Sequence, residues 1–117
     1  MKKLATILFL FIVSINNAQE INPTYKKAGD MVKATYYFED GTVKEQGFFK
    51  DAKLSGKWIS YNRSGEKTMV AYYNNGKKVG KWYAINANSI KEISYVGNAV
   101  KSVKIVGKKE KSELAYN

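Results

Sequence analysis

A repeated motif is the feature that most constrains how this chain folds. Residues 48–58 read FFKDAKLSGKW, and residues 72–82 read YYNNGKKVGKW, so aromatic residues, glycines and a Lys-Trp pair recur at equivalent positions. The interval from Trp58 to Trp82 is the period of the repeat. A weaker copy begins at Tyr37, and the pattern continues after Asn86 in a slipped register. A recurring unit of this length predicts supersecondary modules that pack against their neighbours along the chain.

Each unit alternates short aromatic and β-branched runs with Asn, Asp and Gly, which is typical of β-hairpins. Asn75-Gly76 is the strongest turn signal because both residues tolerate positive φ, and Ala52 should fit the equivalent place less well. We interpret Gly56 and Gly80 as positions where a Cβ would crowd the chain as it re-enters the sheet. We predict strands at residues 32–38, 43–50, 56–61, 67–74, 80–85, 91–96 and 100–106. The predicted fold class is all-β, an antiparallel meander of repeated β-hairpins after a cleavable N-terminal signal helix.

The N-terminus has the features of a secretion signal. Lys2 and Lys3 precede an apolar run at residues 4–13, and Ala18 offers a small residue for cleavage. This run suits a signal peptide better than a membrane span, which needs about 20 apolar residues. We therefore predict a signal peptide at residues 1–18, an N-terminal extension at 19–30, a repeat domain at 31–106 and a mixed-charge tail at 107–117. The mature chain is expected to be periplasmic or secreted and to have no transmembrane span.

Two residue types are missing from the composition, and their absence limits the chemistry. The sequence has no cysteine, so it has no disulfide, no thiol nucleophile and no cysteine for lipid attachment. It also has no histidine, which removes the usual general base and the commonest metal ligand. The acidic residues Asp40, Asp51 and Glu66 lie in predicted turns and are interpreted as turn formers. We predict no catalytic residue, no metal site and no cofactor.

Residues 47–86 resemble two copies of a MORN-type repeat, in the variant form found in small exported bacterial proteins and in relatives labelled as antitoxins. The residues that carry the resemblance are Tyr73, Asn75, Gly76, Lys77, Gly80, Lys81 and Trp82 in one copy and Phe49, Asp51, Lys53, Gly56, Lys57 and Trp58 in the other. The resemblance implies β-hairpin repeats in an elongated or curled sheet and a binding or scaffolding role. It implies no shared catalytic residues. Ala52 departs from the turn glycine of the family pattern, and the glycine spacing is lost after Asn86.

Basic residues recur with the repeat, beside aromatic side chains. The candidate binding residues are Lys53, Lys57, Trp58, Lys77, Lys78, Lys81, Trp82 and Tyr83. A row of ammonium groups flanked by aromatic rings suits lipid headgroup phosphates or an acidic glycan. The alternative interpretation is that the lysines protect exposed sheet edges while the tryptophans form the core. The sequence leaves both interpretations open.

The net charge favours an anionic partner. The formal charge of the chain is +10, and removal of Lys2 and Lys3 with the signal would leave +8. We therefore expect a non-enzymatic exported protein that binds an anionic envelope component or a partner protein through an aromatic and basic sheet face. The alternative is a structural or inhibitor-like module that pairs with a protein through a sheet edge. The export signal argues against nucleic acid, and the sequence does not specify the oligomeric state.

Overall fold

The computed structural model describes residues 21–108, which form one antiparallel sheet of nine strands. Strands that are consecutive in the chain are neighbours in the sheet. The exception is the short β6, which pairs with β5, so that β7 follows β5 in the order of the sheet. The strands are β1 (Thr24–Ala28), β2 (Met31–Tyr37), β3 (Val43–Lys50), β4 (Lys53–Tyr61), β5 (Lys67–Asn74), β6 (Lys77–Lys78), β7 (Gly80–Ile85), β8 (Ser89–Val96) and β9 (Ala99–Lys108). The predicted signal peptide and residues 109–117 of the predicted tail lie outside the described residues.

The sheet confirms the predicted all-β antiparallel meander, and each predicted strand corresponds to an observed one within a few residues. Strand β1 was not predicted and lies within the segment interpreted as an N-terminal extension. Its residues are exposed except for the half-buried Ala28, so it lacks the apolar alternation by which a strand is recognised. Strand β6 was also not predicted, because it is only two residues long.

The hairpin turns keep the same backbone conformation from one unit to the next. Asp51 and Asn75 have φ values of 49° and 52°, and the residues that follow them, Ala52 and Gly76, have φ values of 63° and 80°. Positive φ at both central residues is the geometry of a tight hairpin turn. Alanine reaches this region at a steric cost that glycine avoids, so the poorer fit expected of Ala52 stays a prediction.

Gly56 and Gly80 also repeat their conformation, but for a reason other than the predicted one. Their φ values are 71° and 72°. No atom lies within 4 Å of a Cβ placed on Gly56, and on Gly80 the nearest atom is 3.9 Å away. Crowding is therefore wrong as the explanation, and the positive φ is the constraint that favours glycine. Near Gly56 the pairing of β4 with β3 shifts by two residues, and near Gly80 the pairing with β5 shifts in the same way. In the second unit this shift occurs at Val79 and separates β6 from β7.

The core is built around the two tryptophans of the repeat. Trp58 and Trp82 are 4% and 6% exposed, and they form one cluster with Ala34 and Ala71. Trp58 lies directly over Gly47, where an added Cβ would be 2.0 Å from the indole Cδ2 atom. Ala71 takes the place of this glycine one period later. The glycine under Trp58 lets that indole lie close to the sheet.

Each indole also completes the hydrogen bonding of the sheet. Nε1 of Trp58 donates to the Phe48 carbonyl at 3.0 Å, and Nε1 of Trp82 donates to the Tyr72 carbonyl at the same distance. The two donors are one period apart in the sequence, and so are the two acceptors. In the second unit Nε1 also lies 3.2 Å from the Val79 carbonyl. A buried indole N–H needs such a partner, so these bonds hold both rings in matching orientations.

Further aromatic rings link the two tryptophans into a continuous row on the same face of the sheet. The ring centroids of Trp58 and Tyr73 are 6.5 Å apart, those of Tyr73 and Trp82 are 5.1 Å apart, and those of Trp82 and Tyr95 are 4.9 Å apart. Tyr36 extends the row at 6.3 Å from Trp58. These are the separations at which aromatic pairs attract one another. We call this side of the sheet the tryptophan face.

The contact between Gly47 and Trp58 predicts an asymmetric response to two glycine substitutions. We expect Gly47→Ala to lower the free energy of unfolding by about 1–3 kcal/mol, because the new methyl group must displace the indole. Gly107→Ala is the matched control: Gly107 also lies in a strand without positive φ, and its added Cβ would be 3.6 Å from the nearest atom. Chemical denaturation of both variants checks this. Equal stabilities would contradict the proposed packing.

Candidate functional site

Lysines are concentrated on the side of the sheet opposite the tryptophans. Directly paired residues of antiparallel strands project from the same side, so the strand register assigns each side chain to a face. The lysines on this second side are Lys26, Lys33, Lys50, Lys53, Lys57, Lys67, Lys77, Lys81 and Lys104. We call this side the basic face.

Carboxylates are scarce within the strands. Among the strand residues that the structure describes, only Glu45 and Glu92 are acidic, and only Glu92 lies on the basic face. The other described acidic residues lie in the turns, where Glu39, for example, pairs with Arg63 at 3.2 Å. Positive charge therefore exceeds negative charge on the basic face, although Lys50 pairs with Asp30 at 3.2 Å and Lys81 and Lys104 lie beside Glu92.

The sequence-predicted site is divided between the two faces. Trp58, Trp82 and Lys78 lie on the tryptophan face, as their partners Ala71, Ile93 and Tyr73 show. The predicted residues on the basic face are Lys53, Lys57, Lys77, Lys81 and Tyr83. The eight residues therefore do not form one surface.

The tryptophan part of the predicted site is structural in character. Both indoles are buried and hydrogen-bonded to the backbone, so neither ring is presented to solvent. Lys78 lies against this core, with Nζ 5.1 Å from the centroid of Trp82 and 5.3 Å from that of Tyr95. Cations at this distance are attracted to ring faces. Lys78 thus covers the end of the aromatic row, where the equivalent residue of the preceding unit is Leu54.

A row of side chains crosses the basic face. It consists of Lys33 on β2, Phe48 on β3, Lys57 on β4, Tyr72 on β5 and Lys81 on β7. Lys33 pairs directly with Phe48 and Lys57 with Tyr72, whereas a shift in strand pairing lies between Phe48 and Lys57 and between Tyr72 and Lys81. We call this row the lysine ladder. Its successive lysines are separated by one period of the repeat, and so are its two rings. All of its lysines are exposed, whereas both rings are half-buried between them.

Two hollows lie along the lysine ladder, and Lys57 belongs to both. The smaller has a volume of about 120 Å³ and is lined by Lys33, Phe48 and Lys57 together with Ile59. The larger has a volume of about 360 Å³ and is lined by Lys57, Tyr72, Tyr83 and Lys67, with Val70 and Ile85 among its apolar residues. Each hollow therefore combines ammonium groups at its rim with apolar and aromatic walls.

Glu92 moderates the charge at one end of the basic face. Its carboxylate is buried and lies 3.9 Å from Nζ of Lys81 and 3.5 Å from Nζ of Lys104. Burial raises the pKa of the neighbouring Tyr83 hydroxyl above its ordinary value, and the charge of Glu92 and a hydrogen bond to it raise that pKa further. Tyr83 therefore stays neutral at physiological pH. Lys33 and Lys57 lie on β2 and β4, farther from this carboxylate in the sheet.

Two further features bear on what the described chain can bind or cross. Residues 21–108 contain no group of three or more acidic, histidine or cysteine residues placed to hold a metal ion. No helix in the same part of the chain is long and apolar enough to cross a membrane. Neither result assigns a function to the sheet.

The chain was also compared with known proteins. No protein-family model and no curated protein matches it. The functional interpretation therefore depends on the geometry of the sheet.

The predicted site omitted three residues of the lysine ladder: Lys33, Phe48 and Tyr72. One signal could have identified Lys33, because it lies one period before Lys57 and belongs to the same series. Phe48 and Tyr72 could be aligned with each other, but their position between lysines depends on the strand register. Sequence periodicity finds equivalent residues, whereas the pairing of strands decides which of them meet.

Burial of the two indoles predicts large losses of stability. We expect Trp58→Ala and Trp82→Ala each to lower the free energy of unfolding by about 3–5 kcal/mol, because each removes a buried ring and its hydrogen bond. Tyr25→Ala is the control on the same face, since Tyr25 is 61% exposed and should tolerate truncation. Chemical denaturation measures all three variants. Losses below about 1 kcal/mol for the tryptophan variants would contradict their role in the core.

Proposed function

We propose that this chain is a non-enzymatic, exported β-repeat protein that binds an anionic component of the cell envelope through its basic face. The observation that carries the proposal is the lysine ladder, which places ammonium groups at regular intervals beside half-buried rings. Lysines needed only for solubility would have no reason to be segregated from the carboxylates. Their concentration on one face favours recognition of an extended anionic surface or polymer.

Electrostatics supports this choice of partner. The face has Glu92 as its one strand carboxylate within the described residues, so its positive charge exceeds its negative charge even though Lys50 pairs with Asp30 and Lys81 and Lys104 lie beside Glu92. A surface of one sign attracts oppositely charged partners over about 10 Å at moderate ionic strength. Binding should therefore be fast and should weaken as salt is added. Neutral partners gain nothing from this potential.

The proposed class of protein follows from the repeat. We propose that the chain is a variant of the MORN-type repeat and that residues 1–18 act as its signal peptide. Support for the first point comes from turn angles, indole hydrogen bonds and inward-facing tryptophans that recur with the period of the sequence motif. A non-enzymatic role is supported by a sequence without histidine or cysteine.

A second candidate function is supported by the β9 edge. Strand β9 pairs with β8 along one edge and is the last strand of the sheet. Its apolar side chains are largely exposed, at 57% for Val100, 54% for Val103 and 59% for Ile105. An exposed apolar edge strand is a template for pairing with another polypeptide. A structural or inhibitor-like module would use this edge to bind a protein.

Two substitutions separate the second candidate from the first. If a partner protein binds the edge, Val103→Lys should abolish its capture from an envelope extract, whereas Lys57→Gln should leave capture unchanged. Thermal unfolding of both variants controls for loss of fold. Capture that depends on Lys57 and not on Val103 would contradict edge pairing and favour the basic face.

The position of Glu92 gives a test of the basic face itself. We expect Glu92→Gln to raise the salt concentration needed to elute the protein from immobilised heparin, because Lys81 and Lys104 lose their anionic neighbour. Glu45→Gln removes the same charge from the tryptophan face and should change elution much less. Equal shifts in the two variants would show that net charge, and not the face, controls binding. Failure of the wild-type protein to bind acidic polysaccharides and anionic vesicles would contradict the proposed function.

A further inference from the structure

We propose that the occupant of the basic face is an extended acidic polysaccharide that lies across the strands along the lysine ladder. This inference rests on the proposed function, because it specifies which class of anion the face binds. The ladder runs across strands β2, β3, β4, β5 and β7. A linear polymer can follow such a row, whereas a small anion would contact only one position of it.

The spacing of the ladder lysines favours a polymer with regularly placed charges. Lys33, Lys57 and Lys81 lie on alternate strands of the sheet. Neighbouring strands are about 4.8 Å apart, so the strands that carry these lysines are about 10 Å apart. This interval is close to the length of one disaccharide in an extended polysaccharide. A polymer with one uronate per disaccharide would therefore present its carboxylates in step with the lysines.

The side chains between the lysines suit sugar rings. Phe48 and Tyr72 alternate with the lysines and are half-buried, so part of each ring is available to a ligand on this face. The C–H groups on one side of a pyranose ring can pack against an aromatic ring, whose face carries partial negative charge. The two hollows on either side of Lys57 supply consecutive places for such contacts.

A bilayer is less well matched to this face. Proteins that bind at a membrane interface insert apolar side chains below the headgroups. On the basic face the ladder rings are half-buried, whereas the exposed residues Val100, Val103 and Ile105 lie on the tryptophan face. These three side chains are therefore on the side opposite the lysine ladder, although Val106, which lines the larger hollow, is an exposed apolar residue on the basic face. A membrane that receives the three edge residues cannot also contact the lysine ladder.

The test uses hyaluronan oligosaccharides, which carry one uronate per disaccharide, and measures their affinity for the purified protein by calorimetry. We expect the hexasaccharide to bind more tightly than the tetrasaccharide, because only the longer one supplies a uronate for each ladder lysine. Neutral N-acetylchitohexaose and vesicles containing phosphatidylglycerol are the comparison probes. The neutral sugar should not bind detectably, and the vesicles should bind more weakly than the hexasaccharide at equal anionic charge.

Matched variants locate the binding. Lys57→Gln should weaken hexasaccharide binding by about tenfold, since it removes a charge-assisted contact at the centre of the ladder. Lys33→Gln should weaken it in the same direction. Lys91→Gln is the control, because Lys91 is exposed on the tryptophan face and loses the same charge. Its affinity should match that of the wild-type protein.

The outcomes distinguish this inference from the proposed function. Tight vesicle binding without hyaluronan binding would overturn the polysaccharide inference and leave the proposed function intact. Equal affinities for the two oligosaccharides, or equal effects of Lys57→Gln and Lys91→Gln, would also overturn the inference. Binding to none of the anionic probes would overturn the proposed function itself.

Discussion

The rest of the structure depends on the hydrogen bond from each tryptophan indole to a backbone carbonyl of the preceding strand. The bonds from Trp58 to Phe48 and from Trp82 to Tyr72 occur near the places where the strand pairing shifts by two residues. The Trp58 indole lies close over the sheet because the residue beneath it is Gly47. The indole hydrogen bonds thus occur together with this close approach, the shifts in strand pairing and the buried aromatic row.

This arrangement gives the two sides of a single sheet different properties. The indoles and neighbouring rings lie on the tryptophan face. Because successive side chains of a strand point to opposite faces, the lysines that precede the tryptophans in the sequence lie on the other side. Lys57 and Lys81 precede Trp58 and Trp82 directly, so each Gly-Lys-Trp motif contributes one residue to the core and one to the basic face. The repeat therefore generates a stable core and a periodic charged surface from the same few residues.

Much of the architecture was predictable because short sequence patterns indicate the turns and the strands. Asn75-Gly76 and its equivalent Asp51-Ala52 mark hairpin turns, and the intervening runs have the length and composition of strands. Strand β1 could not be recognised, since its exposed residues show no alternation. The importance of Gly47 was also hidden, because a glycine within a strand does not reveal which ring will lie above it. The candidate site was predicted in part. The sequence-based prediction placed its lysines and rings on a single surface, whereas the strand register divides them between the two faces.

The sequence alone determined the all-β fold, the positions of most turns and the equivalence of residues one period apart, because backbone conformation and strand alternation follow from neighbouring residues. Only the tertiary structure decided that the indoles face inward and that Lys33, Phe48, Lys57, Tyr72 and Lys81 form one row. The physical reason is that a row across a sheet joins residues far apart in the chain. Its membership depends on the pairing register of every strand, and a shift of one residue would move a side chain to the opposite face.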